Sequence, residues 1–110
     1  MIDFVYNTDF RLPNKEIFTR WLISVANDEG YLIDTLVFLF VDDKEILEMN
    51  KKFLKHDYYT DVITFGELED KKISGDIAIS VERVLDNSKM YGVEFEDELK
   101  RVMVHGLSLI

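Results

Sequence analysis

The stretch "DTLVFLFVDD" is apolar at six successive positions, Leu36–Val41, between acidic residues. A surface helix would interrupt such a run with polar positions every turn, and a one-sided strand would interrupt it at alternate positions. An unbroken run predicts a strand covered on both faces, central in a sheet. At 110 residues the chain is long enough to bury roughly two-thirds of its unfolded surface around one core. One domain over residues 1–110 is expected, since no repeat or Pro/Gly-rich linker divides it.

The remaining periodicities supply the partners of that strand. "IDFVY" predicts a short strand. Ile17, Phe18, Trp21, Leu22, Val25 and Ala26 recur at helical spacing after Pro13-Asn14, with Gly30 as the stop. Asp42 and Asp43 can cap a second helix whose inner face would be Ile46, Leu47, Met49, Phe53 and Leu54. "VITF" and "GDIAIS" predict two more strands, joined through the polar "GELEDKKIS" as a hairpin or an exposed loop. Ser80 can cap a third helix carried by Val81, Val84, Leu85, Ser88 and Tyr91 and ended by Gly92. The acidic "EFEDE" suits the start of a fourth helix, with Phe95, Leu99, Val102, Met103, Gly106 and Ile110 inward. The expectation is an α+β fold: a small mixed β-sheet of about four strands packed with helices.

Several function classes drop out. Without cysteine there is no disulfide, thiolate zinc site or cysteine nucleophile, and any metal needs His, Asp or Glu; this fits a reducing, cytoplasmic setting. No apolar run approaches the roughly 20 residues of a membrane span. A formal charge of −9 opposes generic nucleic-acid affinity, so any RNA contact must be local, and Lys51, Lys52, Lys55 and His56 form the nearest basic group. No phosphate-binding glycine loop or serine elbow is present. A carboxylate-based hydrolase would need a distinctive acidic pair, and no spacing marks one.

His105 closes the candidate chemistry. It falls beside the apolar stripe of the last helix, on the side of Glu98 and Arg101, a rim position facing a cleft. Two histidines at i and i+4 on a helix can hold one zinc ion, but position i+4 is Leu109. Taken alone, a single helical histidine is more often a polar rim residue than a ligand. Thr60 and Asp61 before a strand can line a groove or tie down a turn. Asp76, after Gly75 at a strand start, has the place of a short acceptor for loop amides, and His56 that of a surface loop histidine.

Three motifs in order carry a resemblance. Asn50 with Lys55–Phe65, then Gly75-Asp76-Ile77, then the helix reaching His105-Gly106, are similar to the YbeY family of metal-dependent endoribonucleases. The resemblance covers about Asp34 to Gly106 and implies a zincin-like domain that cleaves single-stranded ribosomal RNA during maturation and quality control of the small ribosomal subunit. It implies one zinc per chain with His105 as a metal ligand, and Lys51, Lys55, Thr60 and Asp61 as substrate-binding residues. The sequence departs from the family pattern where Ser108 replaces a leucine and Leu109 the second histidine, with no third ligand before Ile110. Leu54 stands where many members carry an arginine. The resulting expectations are a cytoplasmic hydrolase fold whose 110-residue form lacks two of three ligands, holds zinc weakly and is inactive. Val104, Leu107 and Ile110 would be exposed on the last helix and invite self-association. The alternative is a non-catalytic RNA- or ribosome-binding module.

Overall fold

A computed structural model describes residues 1–110. The elements run β1 (Ile2–Tyr6), α1 (Lys15–Asp28), β2 (Leu32–Val41), α2 (Asp43–Leu54), β3 (Val62–Glu69), β4 (Lys72–Ser80), α3 (Val81–Tyr91) and α4 (Phe95–Ser108). The strands form one mixed sheet in the order β1-β2-β4-β3, with β1 and β4 parallel to β2 and β3 antiparallel to β4. The α+β fold with a four-stranded mixed sheet is therefore as the sequence predicts, and β2 is central. No helix is long and apolar enough to cross a membrane.

The unbroken apolar run of β2 separates by parity into the two faces. Leu36, Phe38 and Phe40 point to the larger core, a cluster of 16 buried residues that includes Phe18 and Leu22 of α1, Ile77 and Ile79 of β4, Val84 of α3, and Leu99, Val102 and Met103 of α4. Val41 points to the other face, where it joins Ile46 of α2, Ile63 and Ala78, with Leu39 packed against them. Each fully buried side chain of this kind stabilises the fold by about 1.5–3 kcal/mol of transfer free energy. The second face is covered by α2 alone, so Val5 and Asp76, at the far end of that face, remain exposed.

Helix ends follow the expected chemistry. The Asp42 carboxylate accepts from the Glu45 amide at 2.8 Å and the Ser80 hydroxyl from the Arg83 amide at 3.2 Å. Gly92 ends α3 in the left-handed conformation. Asn14 also adopts a left-handed conformation before α1, without a side-chain cap. "GELEDKKIS" is the hairpin: β3 and β4 extend through it and turn on Asp70-Lys71 alone.

Several inward assignments are corrected. Phe53 and Leu54 are exposed, because the face of α2 that meets the sheet runs through Ile46 and Asn50, and Phe53 reaches only the edge of the Phe65 ring. Leu85 and Tyr91 likewise lie outside, since Val84 and Ser88 are the buried residues of α3. Asp76 sits in mid-strand, paired with Val37 and Phe65; its exposed side chain makes no hydrogen bond and serves no loop. Leu107 is buried, one turn beyond Met103 on the same stripe, and Ile110 closes over Gly66. Of the apolar face expected to be exposed on α4, Leu107 is therefore buried, while Val104 and Ile110 are half-buried and line an apolar groove with Val25, Tyr31 and Leu68.

Candidate functional site

The site is built where α4 meets the edge strand β3. His105 is exposed on α4, and the residue after it decides how close the helix can come. A Cβ on Gly106 would stand 2.7 Å from Ile77 Cγ2 and 2.9 Å from Val62 Cγ2, too close for real atoms. The absence of a side chain therefore lets α4 lie against β3 and β4. There the Thr64 hydroxyl donates to the Gly106 carbonyl at 2.8 Å. His105 is held beside the sheet edge by the neighbour that lacks a side chain.

One turn before His105, Arg101 grips two carboxylates. Its guanidinium donates to both oxygens of Glu98, at 2.8 and 2.7 Å, and lies 3.5 Å from Asp61 Oδ2. Asn87 of α3 donates through its amide nitrogen to Asp61 and to Glu98, at 3.2 Å each. Glu98 is only 2 % exposed, and this double hydrogen bond from Arg101 holds its carboxyl below the usual carboxylate range. The Asp61 carbonyl accepts from the Ser80 amide at 3.0 Å. Asp61 thus fastens the start of β3 to α3, α4 and β4, as a structural turn residue would. Thr60 turns back on the same strand, donating to the Val62 carbonyl at 3.2 Å.

The basic residues stand at the other end of the same loop. Lys51 pairs with Asp57 at 3.3 Å, and Lys55 terminates α2 in the left-handed conformation. Asn50, 1 % exposed, donates to the Tyr58 carbonyl at 2.9 Å, while its own carbonyl accepts from the His56 amide at 3.1 Å. A buried amide at this helix end fixes the path of residues 55–61 and so links Lys55 to Thr60-Asp61. His56 lies on that surface loop, as expected, with Nδ1 3.0 Å from the Tyr58 hydroxyl.

These side chains do not make a zinc site by themselves. No three His, Cys, Asp or Glu side chains converge on one point. The carboxylates of Asp61 and Glu98 are already paired with Arg101 and Asn87, and the Arg101 guanidinium, one turn before His105, disfavours a cation. Leu109, at i+4, has no donor. Asp61 meets Arg101, one turn before His105 on α4, whereas Thr60 turns back on its own strand and Lys51 and Lys55 stand at the far end of the loop, so no contact joins the five predicted residues into one site. Sequence reading noticed Glu98 and Arg101 on the His105 side but missed Asn87, whose partners lie 26 and 11 residues away. No local spacing announces such a contact.

The family model described as Endoribonuclease YbeY matches residues 6–108. Proteins described as Endoribonuclease YbeY from Karelsulcia muelleri and Flavobacterium johnsoniae are 44% and 45% identical to this chain, each over 107 residues. Those matches take in 97% of this chain and 76% and 77% of the relatives. The solution structure of TM1509 from Thermotoga maritima is similar with a TM-score of 0.69 and 29% identity, covering 97% of this chain and 69% of that one.

Proposed function

The chain belongs to the YbeY endoribonuclease family, and from that premise we propose that it acts on single-stranded RNA, namely ribosomal RNA in maturation and quality control of the small ribosomal subunit, in the cytoplasm. The observation that supports the reading is the junction of β3 and α4, where Gly106 packs on Val62 and Ile77 and the histidine before it stays exposed. Lys51 and Lys55 hold phosphates at the near end of the loop, and Thr60-Asp61 fix the groove between them and His105. His105 is the one metal ligand we assign within residues 1–110. No three His, Asp or Glu side chains within residues 1–110 converge, and we infer that these residues by themselves hold zinc weakly and do not cleave RNA.

A second reading has its own observation. Leu109 in place of a donor, with the nearby carboxylates already paired, suits a module that binds RNA or the ribosome without cutting. Both readings predict salt-dependent binding of single-stranded RNA, in which Lys51→Ala and Lys55→Ala each lower the slope of log K against log salt by about one. They separate on metal. Elemental analysis of untagged protein and cleavage of a labelled RNA should be run on the parent and on Leu109→His, which places two imidazoles one turn apart. Enzyme ancestry predicts little zinc on the parent and tighter zinc on Leu109→His. About one zinc per parent chain, with cleavage lost in His105→Ala, would overturn the inactive assignment.

A further inference from the structure

The loop that carries Lys55 also carries aromatic rings that the fold does not use. Tyr58 and Tyr59 are each 55% exposed, yet the loop beneath them is anchored at both ends, by Asn50 to the Tyr58 carbonyl and by the Asp61 carbonyl to Ser80. Each ring is also held in place. The His56 ring stacks on Tyr58 with centroids 5.1 Å apart and planes 18° from parallel, and the Arg83 guanidinium lies 5.3 Å from the centre of Tyr59. Arg83 is itself fixed, donating to Asp43 at 2.6 Å. Two adjacent rings held by a cationic or imidazole neighbour yet open to solvent offer a ready surface on which a flat partner can bury them.

Charge says what that partner is. The chain carries −9 overall, but Asn50–His56 holds three lysines, of which Lys51 pairs with Asp57, leaving Lys52 and Lys55 beside the loop. Rings interleaved with cations on an otherwise acidic protein match a polyanion whose units have flat faces. We propose that Tyr58 and Tyr59 form a stacking platform for two unpaired bases of single-stranded RNA, with Lys52 and Lys55 on the adjoining phosphates. The proposal rests on the RNA-binding reading of the same site and adds to it the contacts made by the bases. Asp61, two residues after Tyr59, meets Arg101, which lies one turn before His105 on α4, so the loop that carries the rings touches the helix that carries His105. Every base has a π-face, so binding here is tolerant of sequence but depends on bases being present and unpaired.

The test uses the full 110-residue chain with a fluorescein-labelled oligouridylate and an abasic ribose-phosphate strand of equal length, followed by anisotropy in chelator so that no cleavage intrudes. The parent should prefer the oligouridylate by about tenfold or more, on the scale expected of one stacked base. Tyr58→Ala with Tyr59→Ala should abolish that preference while leaving affinity for the abasic strand unchanged; Tyr58→Phe with Tyr59→Phe should retain it, since the rings remain. Circular dichroism checks that each variant is folded. If the parent binds both strands equally, or if the alanine variant keeps the preference, the platform is wrong while RNA binding stands. If the parent binds neither strand, the RNA reading fails and the platform with it.

Discussion

Glu98 is the one buried carboxylate of the chain, and through Arg101 and Asn87 it ties α4 to α3 and to the start of β3. Two hydrogen bonds from Arg101 and one from Asn87 stabilise its ionised form, so folding lowers its pKa. The sign follows directly. A carboxyl with a depressed folded-state pKa contributes stability above its unfolded value, and that contribution disappears as pH falls through the folded value. Glu98→Gln keeps the shape but not the charge. It should lower the urea midpoint at pH 7, and the gap to the parent should close below about pH 4. A gap of constant size down to pH 3 would mean that the ion pair carries none of the difference. Asp61 shares Arg101 from a more exposed place, which is why it works as an anchor rather than as a free ligand.

At the scale of elements, the β3–β4 hairpin is where local chemistry and fold disagree. Asp70 and Lys71 both have positive φ, 52° and 63°, because a two-residue link between twisted antiparallel strands requires a left-handed pair. Asp70 suits that conformation through its short polar side chain, but Lys71 does not, at a cost on the order of 1–2 kcal/mol. Asp70→Asn combined with Lys71→Gly supplies the preferred residues and should raise stability by about 1 kcal/mol, read as a higher urea midpoint with an unchanged slope. A lower midpoint would show that the native Asp70 and Lys71 side chains stabilise the turn by more than their backbone conformation costs. The same hairpin places β3 at the edge, where Thr64 can reach Gly106 and the His105-bearing helix can be received.

At the scale of the molecule, two layers of unequal size rest on β2. Phe38 lies in the larger core with no accessible surface, stacked on Phe4 at 5.9 Å, whereas Leu39 points to the thinner α2 side and is half-buried. A carboxylate in place of Phe38 would sit unpaired among apolar side chains, a cost of several kcal/mol plus the lost burial. A domain with about 5–15 kcal/mol of total stability does not survive that. Phe38→Asp should be unfolded by circular dichroism at 25 °C, while Leu39→Asp should fold with a lowered midpoint; a cooperative native transition in Phe38→Asp would sink the two-layer account of the core. The half-covered face leaves the surface around Phe53 and the 55–61 loop open, so the architecture that buries β2 also exposes the proposed RNA surface.

The sequence by itself determined the central strand, the four helices with the caps from Asp42, Ser80 and Gly92, the family, and the place of His105 on its helix. These rest on periodicity, short-range hydrogen bonding and ordered motifs, all of which are local along the chain. Tertiary structure alone decided that Phe53 and Leu54 face out and Leu107 faces in, that Asp76 lies in mid-strand, and that Asp61, Asn87, Glu98 and Arg101 form one network. A periodic pattern shows that a helix has an inner face, but which residues fill it depends on where the sheet ends beneath the helix. Hydrogen-bond partners drawn from three elements meet only after the core has set the distances between those elements.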